Sequence, residues 1–519
     1  MRRRDALILI SLGIATAWIA AQGVGSPGYM DADYYFAMGE QWARGQGAEE
    51  PFLWNYINQP ETIPTLSHSY WSPLTSIVIG FTLRLFGAGF PVAQLPFILF
   101  TSLLPYLVWR LALTMGGDTT ISFQAGLLAL APGYFLPYLV TTDVFSLYAL
   151  LGVLLMLVLQ SKLERFTTFK WFIAGMLAGL AHLSRADGFL MMLIPISYLV
   201  LSERRRSRQF GLLVFGYLII MTPWFYRNLI SSGSLINPAG GRTLWLLSYD
   251  EIFSYPAQIL TPDRWWAAGL DQILIRRWSG IKILLQRMLG ENGLIFLAPL
   301  MVIGIRDQWK QPLVRATLGY LIVLFIVMSL IFPFAGARGG WFHSSVAAMP
   351  LLWIMAPYGL RVSVEWVGKR RSWNLIRARV VFGYAMISLA LLLTWGLYAY
   401  RVVGFDQKLA NWDLPQARYE QIRDAIHVVD PDPGVVAINN PPGFYLVSGI
   451  NAVALPNGDP RVLEQVVEKY GVAWIVLDVN HPQDLNLLFT QGDIPRWMRL
   501  EGSLEVYGET FVLYRVLEA

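Results

Sequence analysis

Cysteine is absent from the chain, so no disulfide can hold it together, no thiolate can bind a metal, and cysteine usage says nothing of redox compartment. Charge is nearly as scarce. Asp, Glu, Lys and Arg make up 14% of the 519 residues, where soluble domains carry about 25%. No Gly-x-x-x-x-Gly-Lys phosphate loop, internal repeat, heptad run or low-complexity segment occurs. Apolar residues take the place of the missing polarity, reaching 55% of the composition and a mean hydropathy of +0.46. A helix rising about 1.5 Å per residue needs about 20 mostly apolar residues to cross roughly 30 Å of hydrocarbon. Such runs recur between Ala6 and Arg401, which excludes a soluble class and points to a chain embedded in membrane lipids. The net charge of +5 and pI near 9.2 do not indicate nucleic acid. The basic residues sit in short clusters between apolar runs, where the positive-inside rule accounts for them.

Four basic connections, Lys162–Lys170, Arg204–Arg208, Arg306–Lys310 and Arg361–Arg379, are placed in the cytoplasm by that rule. Reading outward from them gives spans near 6–23, 92–114, 119–138, 142–160, 170–185, 187–202, 209–227, 292–305, 313–333, 344–360 and 379–400, eleven crossings in all. The first run follows Arg2, Arg3 and Arg4 and ends at Gly23 and Gly25. It reads as a retained signal anchor with the N-terminus inside, cleavage at the glycines being the alternative. Pro73–Phe86 is short and carries Arg84, so it is expected as a helix near the outer surface rather than a span. An odd number of crossings leaves loops 29–72 and 227–291 and everything after Arg401 outside. In that tail Gly434–Ile438, Asn451–Leu455 and Val472–Leu477 look like strands, Pro460–Lys469 has helical spacing, and Ser503–Tyr507 and Phe511–Val516 flank a turn at Gly508. The predicted fold is an all-α polytopic membrane helix bundle with outer juxtamembrane helices over residues 1–401, followed by a C-terminal extracytoplasmic α/β domain over 402–519.

Directly after the first crossing comes Tyr29-Met30-Asp31-Ala32-Asp33-Tyr34-Tyr35, opening an amphipathic stretch that runs to Arg44. Asp31 and Asp33, placed where a membrane helix meets water, suit a catalytic base or a divalent-metal site; equally, they suit a solvated helix cap. Asp143, after Thr141 and Thr142, lands on the same outer face and has the same two readings. Arg185, Arg227 and Arg338 lie at outer ends of crossings, against the charge bias. An anionic lipid head group would favour them there, since guanidinium forks bind phosphate oxygens two at a time; snorkelling, or pairing of Arg185 with Asp187, is the alternative. His343, beside the glycines around Arg338, and His68, in His68-Ser69-Tyr70-Trp71-Ser72-Pro73, are further candidates for sugar or phosphate contact, against a structural role. Trp245, Tyr249, Trp265 and Trp266 could stack on sugar rings or form an interfacial belt.

Taken in order, several of these segments resemble the C-type membrane glycosyltransferases, above all protein O-mannosyltransferases and the aminoarabinose transferases that modify lipid A. The resemblance rests on Asp31–Tyr35, Trp71-Ser72-Pro73-Leu74, Leu85-Phe86-Gly87, Thr141-Thr142-Asp143, Leu183-Ser184-Arg185-Ala186-Asp187-Gly188, Thr222-Pro223-Trp224-Phe225-Tyr226-Arg227-Asn228 and the Arg338 loop. The chain departs from the family pattern at Tyr70-Trp71-Ser72-Pro73 and at Gln94. The resemblance implies a polyprenyl-phosphate-linked monosaccharide as donor and a protein, lipid or glycan hydroxyl as acceptor. It makes Asp31 the base and Asp143 a second acidic position.

On this reading Asp31, Asp33 and Asp143 form the catalytic set, and Tyr35, His68, Arg185, Arg227, Arg338 and His343 bind substrate. Attack opposite the phosphate predicts inversion at the sugar. No cofactor is required; a divalent cation, Mg or Mn, held by Asp33 and Asp143 is the alternative. The plasma membrane is the expected location. The competing class is a transporter or flippase, which would need ionisable groups near mid-bilayer, where the spans here are almost bare of charge.

Overall fold

The computed structural model describes residues 2–161, 169–202, 206–236, 239–405 and 409–517. Among them six helices are long and apolar enough to cross a membrane: Arg3–Gln22, Phe90–Thr114, Ser207–Ser232, Pro312–Ile331, Pro333–Arg371 and Leu375–Val403. A seventh results if Leu270–Asn292 and Leu297–Asp307, bent by 91° at a short break, form one span. The protein is therefore a multi-pass membrane protein. The expected spans at 119–138, 142–160, 170–185 and 187–202 are filled by shorter helical segments. The first of these is interrupted for a clear reason. Helix Thr119–Leu128 stops before Pro132, which lacks an amide hydrogen, and Gly133 takes a left-handed φ of 64° and gives its N–H to Thr394 Oγ1 at 3.0 Å. The chain then resumes as a turn at Gly133–Phe135 and a short helix, Leu136–Leu139. The basic connection expected at Lys162–Lys170 lies largely outside the described residues, and so do Arg204 and Arg205 of the next one.

Pro73–Phe86 does form a short helix, Leu74–Phe86, and it packs along helix Met30–Ala43. Gly39 and Gly80 make this contact, because a side chain on Gly80 would press on the Gly39 carbonyl at 2.9 Å and on the Trp42 side chain at 2.6 Å. The Met30–Ala43 helix is itself almost wholly buried. Its buried residues run from Ala32 to Gly39 and include Gln41, while Trp42 is exposed.

The C-terminal segment folds as the predicted α/β module, with strands Val435–Ala437, Ala452–Val453 and Val472–Leu477, helix Pro460–Tyr470, and a hairpin of Met498–Val506 with Glu509–Val516 turning at Gly508. The three central strands are parallel to one another, and the hairpin adds antiparallel strands on one side. One strand comes from elsewhere. Phe52–Leu53, in the loop after the first membrane helix, pairs parallel to Ala452–Val453 and completes the other edge of the six-stranded sheet. Ala454 N–H also donates to the Leu53 carbonyl at 2.7 Å, and Tyr56 donates to the Ala454 carbonyl. Asn457 N–H donates to the Phe253 carbonyl at 3.0 Å, so the loop 227–291 is fastened to the same sheet. Residues 402–519 therefore share backbone hydrogen bonds with both long loops.

Phe52 is fully buried between Tyr34 and Tyr445, with ring centroids 5.7 and 5.5 Å away. Phe52→Ala should destabilise the protein by about 3–5 kcal/mol, the usual cost of emptying a buried aromatic site. Thermal unfolding in detergent measures the loss, and faster proteolysis between residues 402 and 440 should accompany it if the strand anchors the C-terminal module.

Candidate active site

The first membrane helix, Arg2–Gln22, is joined to helix Met30–Ala43 by a short turn that Gly28 makes possible. Gly28 has a φ of 90°, and a side chain there would run into the Trp412 indole. Asp31 and Asp33 both fall in the first helical turn. Two residues of α-helix rotate a side chain by about 200°, so the two carboxylates face opposite ways.

Asp31 points to His343, whose Nε2 lies 3.6 Å from Asp31 Oδ2. The same nitrogen lies 3.0 Å from Asp143 Oδ2. Asp143 is fully buried, accepts the Val144 N–H on Oδ1 at 2.5 Å, and accepts the Tyr29 hydroxyl on Oδ2. The preceding threonines fix its loop. Thr141 donates to the Pro27 carbonyl and Thr142 to the Ala32 carbonyl, both at 3.1 Å, tying Asp143 to the start of the Met30–Ala43 helix. His343 stacks on Phe145 at 4.3 Å and sets Nδ1 2.8 Å from the Gly339 carbonyl. Both ring nitrogens thus face acceptors, an arrangement that suits an imidazolium with two donors. Ligand atoms of Asp31, Asp143 and His343 lie within 4.8 Å of one another, a donor set of two carboxylates and one imidazole that fits a divalent cation. Burial raises the Asp31 carboxyl above the ordinary carboxylate range, the nearby Asp143 charge adds to this, and His343 and Arg185 oppose it.

Arg185 lies directly behind this group. It follows helix Phe169–Ser184 and gives its Nε–H to Asp187 Oδ1 at 2.9 Å and to Ser344 Oγ at 3.1 Å, while Ser344 donates to Asp187. The Tyr35 hydroxyl is within electrostatic reach of Asp143, Arg185 and Asp31. Arg338 stacks over Tyr249 at 4.7 Å, and Tyr249 in turn feels the charge of Asp31, which brings the Arg338 loop towards the same group.

Arg227 and His68 form a second group. Arg227 donates to the Ser67 carbonyl and to Asn228 Oδ1 at 3.1 Å and lies over Trp224 at 4.6 Å. His68 is 1% exposed, and burial together with Arg227 pushes its pKa down to about 3, so the ring is neutral. Next to it Tyr34 receives the His68 N–H at 2.9 Å and donates to Glu50 Oε2 at 2.6 Å. Asp33 joins neither group: it is buried and accepts from Asn440 Nδ2 of the C-terminal domain at 2.8 Å. Trp265 packs against Trp245 and Trp266, with centroids 6.0 and 4.8 Å away. Tyr29, Tyr34 and Glu50 escaped the sequence reading. Tyr29 adjoins the acidic motif and could have been suspected from it. Glu50 gives no local signal, because only the fold brings it to Tyr34 and His68.

This fold, a helix bundle with an acidic helix directly after the first span and a C-terminal α/β module, is shared with solved oligosaccharyltransferase and ArnT structures. Residues 68–226 match the dolichyl-phosphate-mannose-protein mannosyltransferase family, a stretch that contains His68, Asp143 and Arg185 but neither Asp31 nor His343. The fold is similar to that of an oligosaccharyltransferase of Archaeoglobus fulgidus, solved as a complex with Zn and sulfate, at a TM-score of 0.56, 15% identity, and coverage of 91% of this chain and 67% of that one. The A. fulgidus oligosaccharyltransferase AglB bound to an inhibitory peptide and a dolichol-phosphate gives a TM-score of 0.57 at 14% identity, covering 91% and 69%. ArnT of Cupriavidus metallidurans bound to undecaprenyl phosphate gives 0.53 at 13% identity, covering 98% of this chain and 97% of that one. No curated protein matches the chain in sequence.

Glu50 is 3% exposed, and burial pushes its pKa up to about 8, opposed by the hydrogen bonds from Tyr34 and His68 and by Arg227. A raised folded pKa means that the native state holds a proton the unfolded chain has released, so this group lowers stability progressively from the ordinary carboxylate range up to about pH 8 and by a constant amount beyond. Glu50→Gln keeps the acceptor for Tyr34 and removes the titration. Melting temperatures measured from pH 5 to pH 9 should diverge in favour of the variant as pH rises, and a constant offset between the two proteins would contradict this account.

Proposed function

We propose that the protein is an inverting glycosyltransferase that moves a monosaccharide, hexose or pentose, from a polyprenyl-phosphate carrier to an acceptor hydroxyl on the extracytoplasmic face of the plasma membrane. The observation that carries this reading is the meeting of Asp31 with His343 and Asp143 at the end of the bundle that also bears the C-terminal module. The similar solved structures hold dolichol-phosphate and undecaprenyl phosphate, which supports a lipid phosphate as the donor's carrier. The N-terminus is then cytoplasmic and the C-terminal module outside, as the basic connections require.

A phosphate on the anomeric carbon is already a competent leaving group. The protein has to take the proton from the acceptor and hold the departing anion. In this scheme the Asp31 carboxylate takes the acceptor hydroxyl proton while that oxygen attacks the anomeric carbon. The carbon–oxygen bond to phosphate breaks, its electron pair leaves with the lipid phosphate, and attack from the far face inverts the sugar. Asp143 and Tyr29 keep His343 in place, and Arg185, Arg338 and Arg227 supply positive charge where negative charge grows. Tyr35 and His68, both buried, stand beside Arg185 and Arg227 respectively and would contact substrate only as the site opens to admit it. Should a divalent cation such as Mg or Mn be bound, Asp31, Asp143 and His343 would hold it and it would add charge for the phosphate. Asp33 takes no part in this scheme, because its side chain faces the C-terminal module.

Asp31→Asn keeps size and hydrogen bonding but removes the base. With purified protein, polyprenyl-phosphate sugars and candidate acceptors, transfer should fall by about 10²–10⁴-fold while donor binding persists; equal turnover in the two proteins would remove Asp31 from this role. The wild-type pH–rate profile carries a second expectation. A base with a raised pKa loses activity as pH falls through that raised value, so the acid limb should lie clearly above the ordinary aspartate value of about 3.9.

A further inference from the structure

On the far side of helix Met30–Ala43 from Asp31 lies a cavity of about 230 Å³. Its walls come from the turn after the first membrane helix, from the start of helix Phe90–Thr114, and from helices Leu414–Val429 and Pro441–Ser448 of the C-terminal module. Asp33 is the carboxylate facing it. The transfer scheme leaves this buried acid unused, yet a carboxylate is seldom kept at 6% exposure without partners. One oxygen accepts from Asn440 at 2.8 Å, and a carboxylate can accept about four hydrogen bonds. Gly443 keeps the space beside it open. A Cβ at that position would come within 2.7 Å of Asp33 Oδ2 and 2.9 Å of the Tyr419 ring.

Topology and lining point to the kind of occupant. Asn440 follows strand Val435–Ala437, whose two neighbours in the sheet are both parallel to it. The chain leaves that strand for Ala452–Val453 on one side and then crosses back to Val472–Leu477 on the other. Open α/β sheets take ligands at the carboxyl ends of strands beside such a reversal. The volume is below the roughly 300–1,000 Å³ of sites for drug-sized molecules, so it holds one ring rather than a chain of them. Asp33, Gln416 and Tyr419 supply acceptors and donors, and Phe36 and Phe90 supply apolar wall. A pyranose combines the same two surfaces, hydroxyls around its edge and C–H groups on its faces.

We propose that this cavity is a carbohydrate-binding site that holds one sugar ring of the acceptor, with its hydroxyls on Asp33, Gln416 and Tyr419 and its C–H faces against Phe36 and Phe90. Assignment of the ring to the acceptor rests on the transferase reading; the binding itself does not.

Full-length protein in nanodiscs, probed by saturation-transfer NMR with a panel of methyl hexopyranosides and methyl pentopyranosides, tests the site without turnover. Wild type and Asp31→Asn should bind at least one glycoside saturably, and Gly443→Val should weaken that binding about tenfold or more. Gln416→Ala, a change at an exposed position, should weaken it as well, which keeps the test open if Gly443→Val fails to fold. Absence of binding to every glycoside in wild type would overturn the proposal, as would binding unaffected by Gln416→Ala and Gly443→Val. Saturable binding of tetramethylammonium in place of any glycoside would overturn it in favour of a cation site. Glycoside binding with no transfer from any lipid-linked sugar would remove the transferase reading and leave the site standing.

Discussion

Bringing Asp31 and Asp143 to one imidazole sets the terms for the structure around it, since two carboxylates this close repel each other unless positive charge stands between them. His343 Nε2, at 3.0 Å from one and 3.6 Å from the other, is the group placed to carry that charge when protonated. The three residues come from separate parts of the chain, Asp143 and His343 lying 200 positions apart. Each is therefore held by its own local device. Helix Met30–Ala43 carries Asp31, the two threonine hydrogen bonds fix the Asp143 loop, and the Gly339 carbonyl orients His343. Arg185 sits behind them, joined through Ser344 to the segment that bears His343, so the local positive charge does not depend on the imidazole alone.

The C-terminal module matters to this arrangement because it backs the helix that carries Asp31. Tyr445 accepts from Gln41, Asn440 donates to Asp33, and the Phe52–Leu53 strand hydrogen-bonds into the module's sheet. A helix gripped on its far face by the two side-chain contacts, with the loop after it anchored by the strand, cannot rotate freely, and a rotation of one residue, about 100°, would carry Asp31 out of the group it shares with His343. The module thus acts on the site by positioning, through the helix wall, whatever else it binds.

Much of this was legible in the chain, and the illegible part has a physical cause. The membrane class followed from composition, and the strands of the module followed from apolar runs broken by Gly, Pro and Asn, because those patterns are set by neighbours in sequence. The crossing count was less secure. Ala131-Pro132-Gly133 breaks an apolar run that hydropathy alone joins into a span from 119 to 138, and four of the eleven expected spans are filled by short helical segments. The pairing of Phe52–Leu53 with Ala452–Val453 was invisible, since two residues carry no periodicity and their partner is 400 positions away. Among site residues, Asp31, Asp143 and His343 stood out through position and composition, and the fold gathers them. Asp33 stood out for the same reason, yet helical geometry sends it the other way: sequence adjacency on a helix means separation in space at a spacing of two.

The placement of charge also bears on what kind of membrane protein this is. A carrier that moves an ion-coupled substrate needs ionisable groups along the path, and at mid-bilayer each costs about 2.5–3.5 kcal/mol on the insertion scale, a cost sustained only where the group serves transport. Here the acids and arginines gather at the rim of the bundle, beside long loops fastened to a folded module, while a continuous apolar core, with Trp353 and Tyr320 fully buried in it, fills the interior between the helices. On the proposed function, a site at the rim would let a polyprenyl tail remain in hydrocarbon while its phosphate reaches the guanidinium groups of Arg185 and Arg338. The proposed function requires a donor that is amphiphilic and an acceptor that is reached from water, and a site at the rim, beside long loops fastened to a folded module, suits that division of labour.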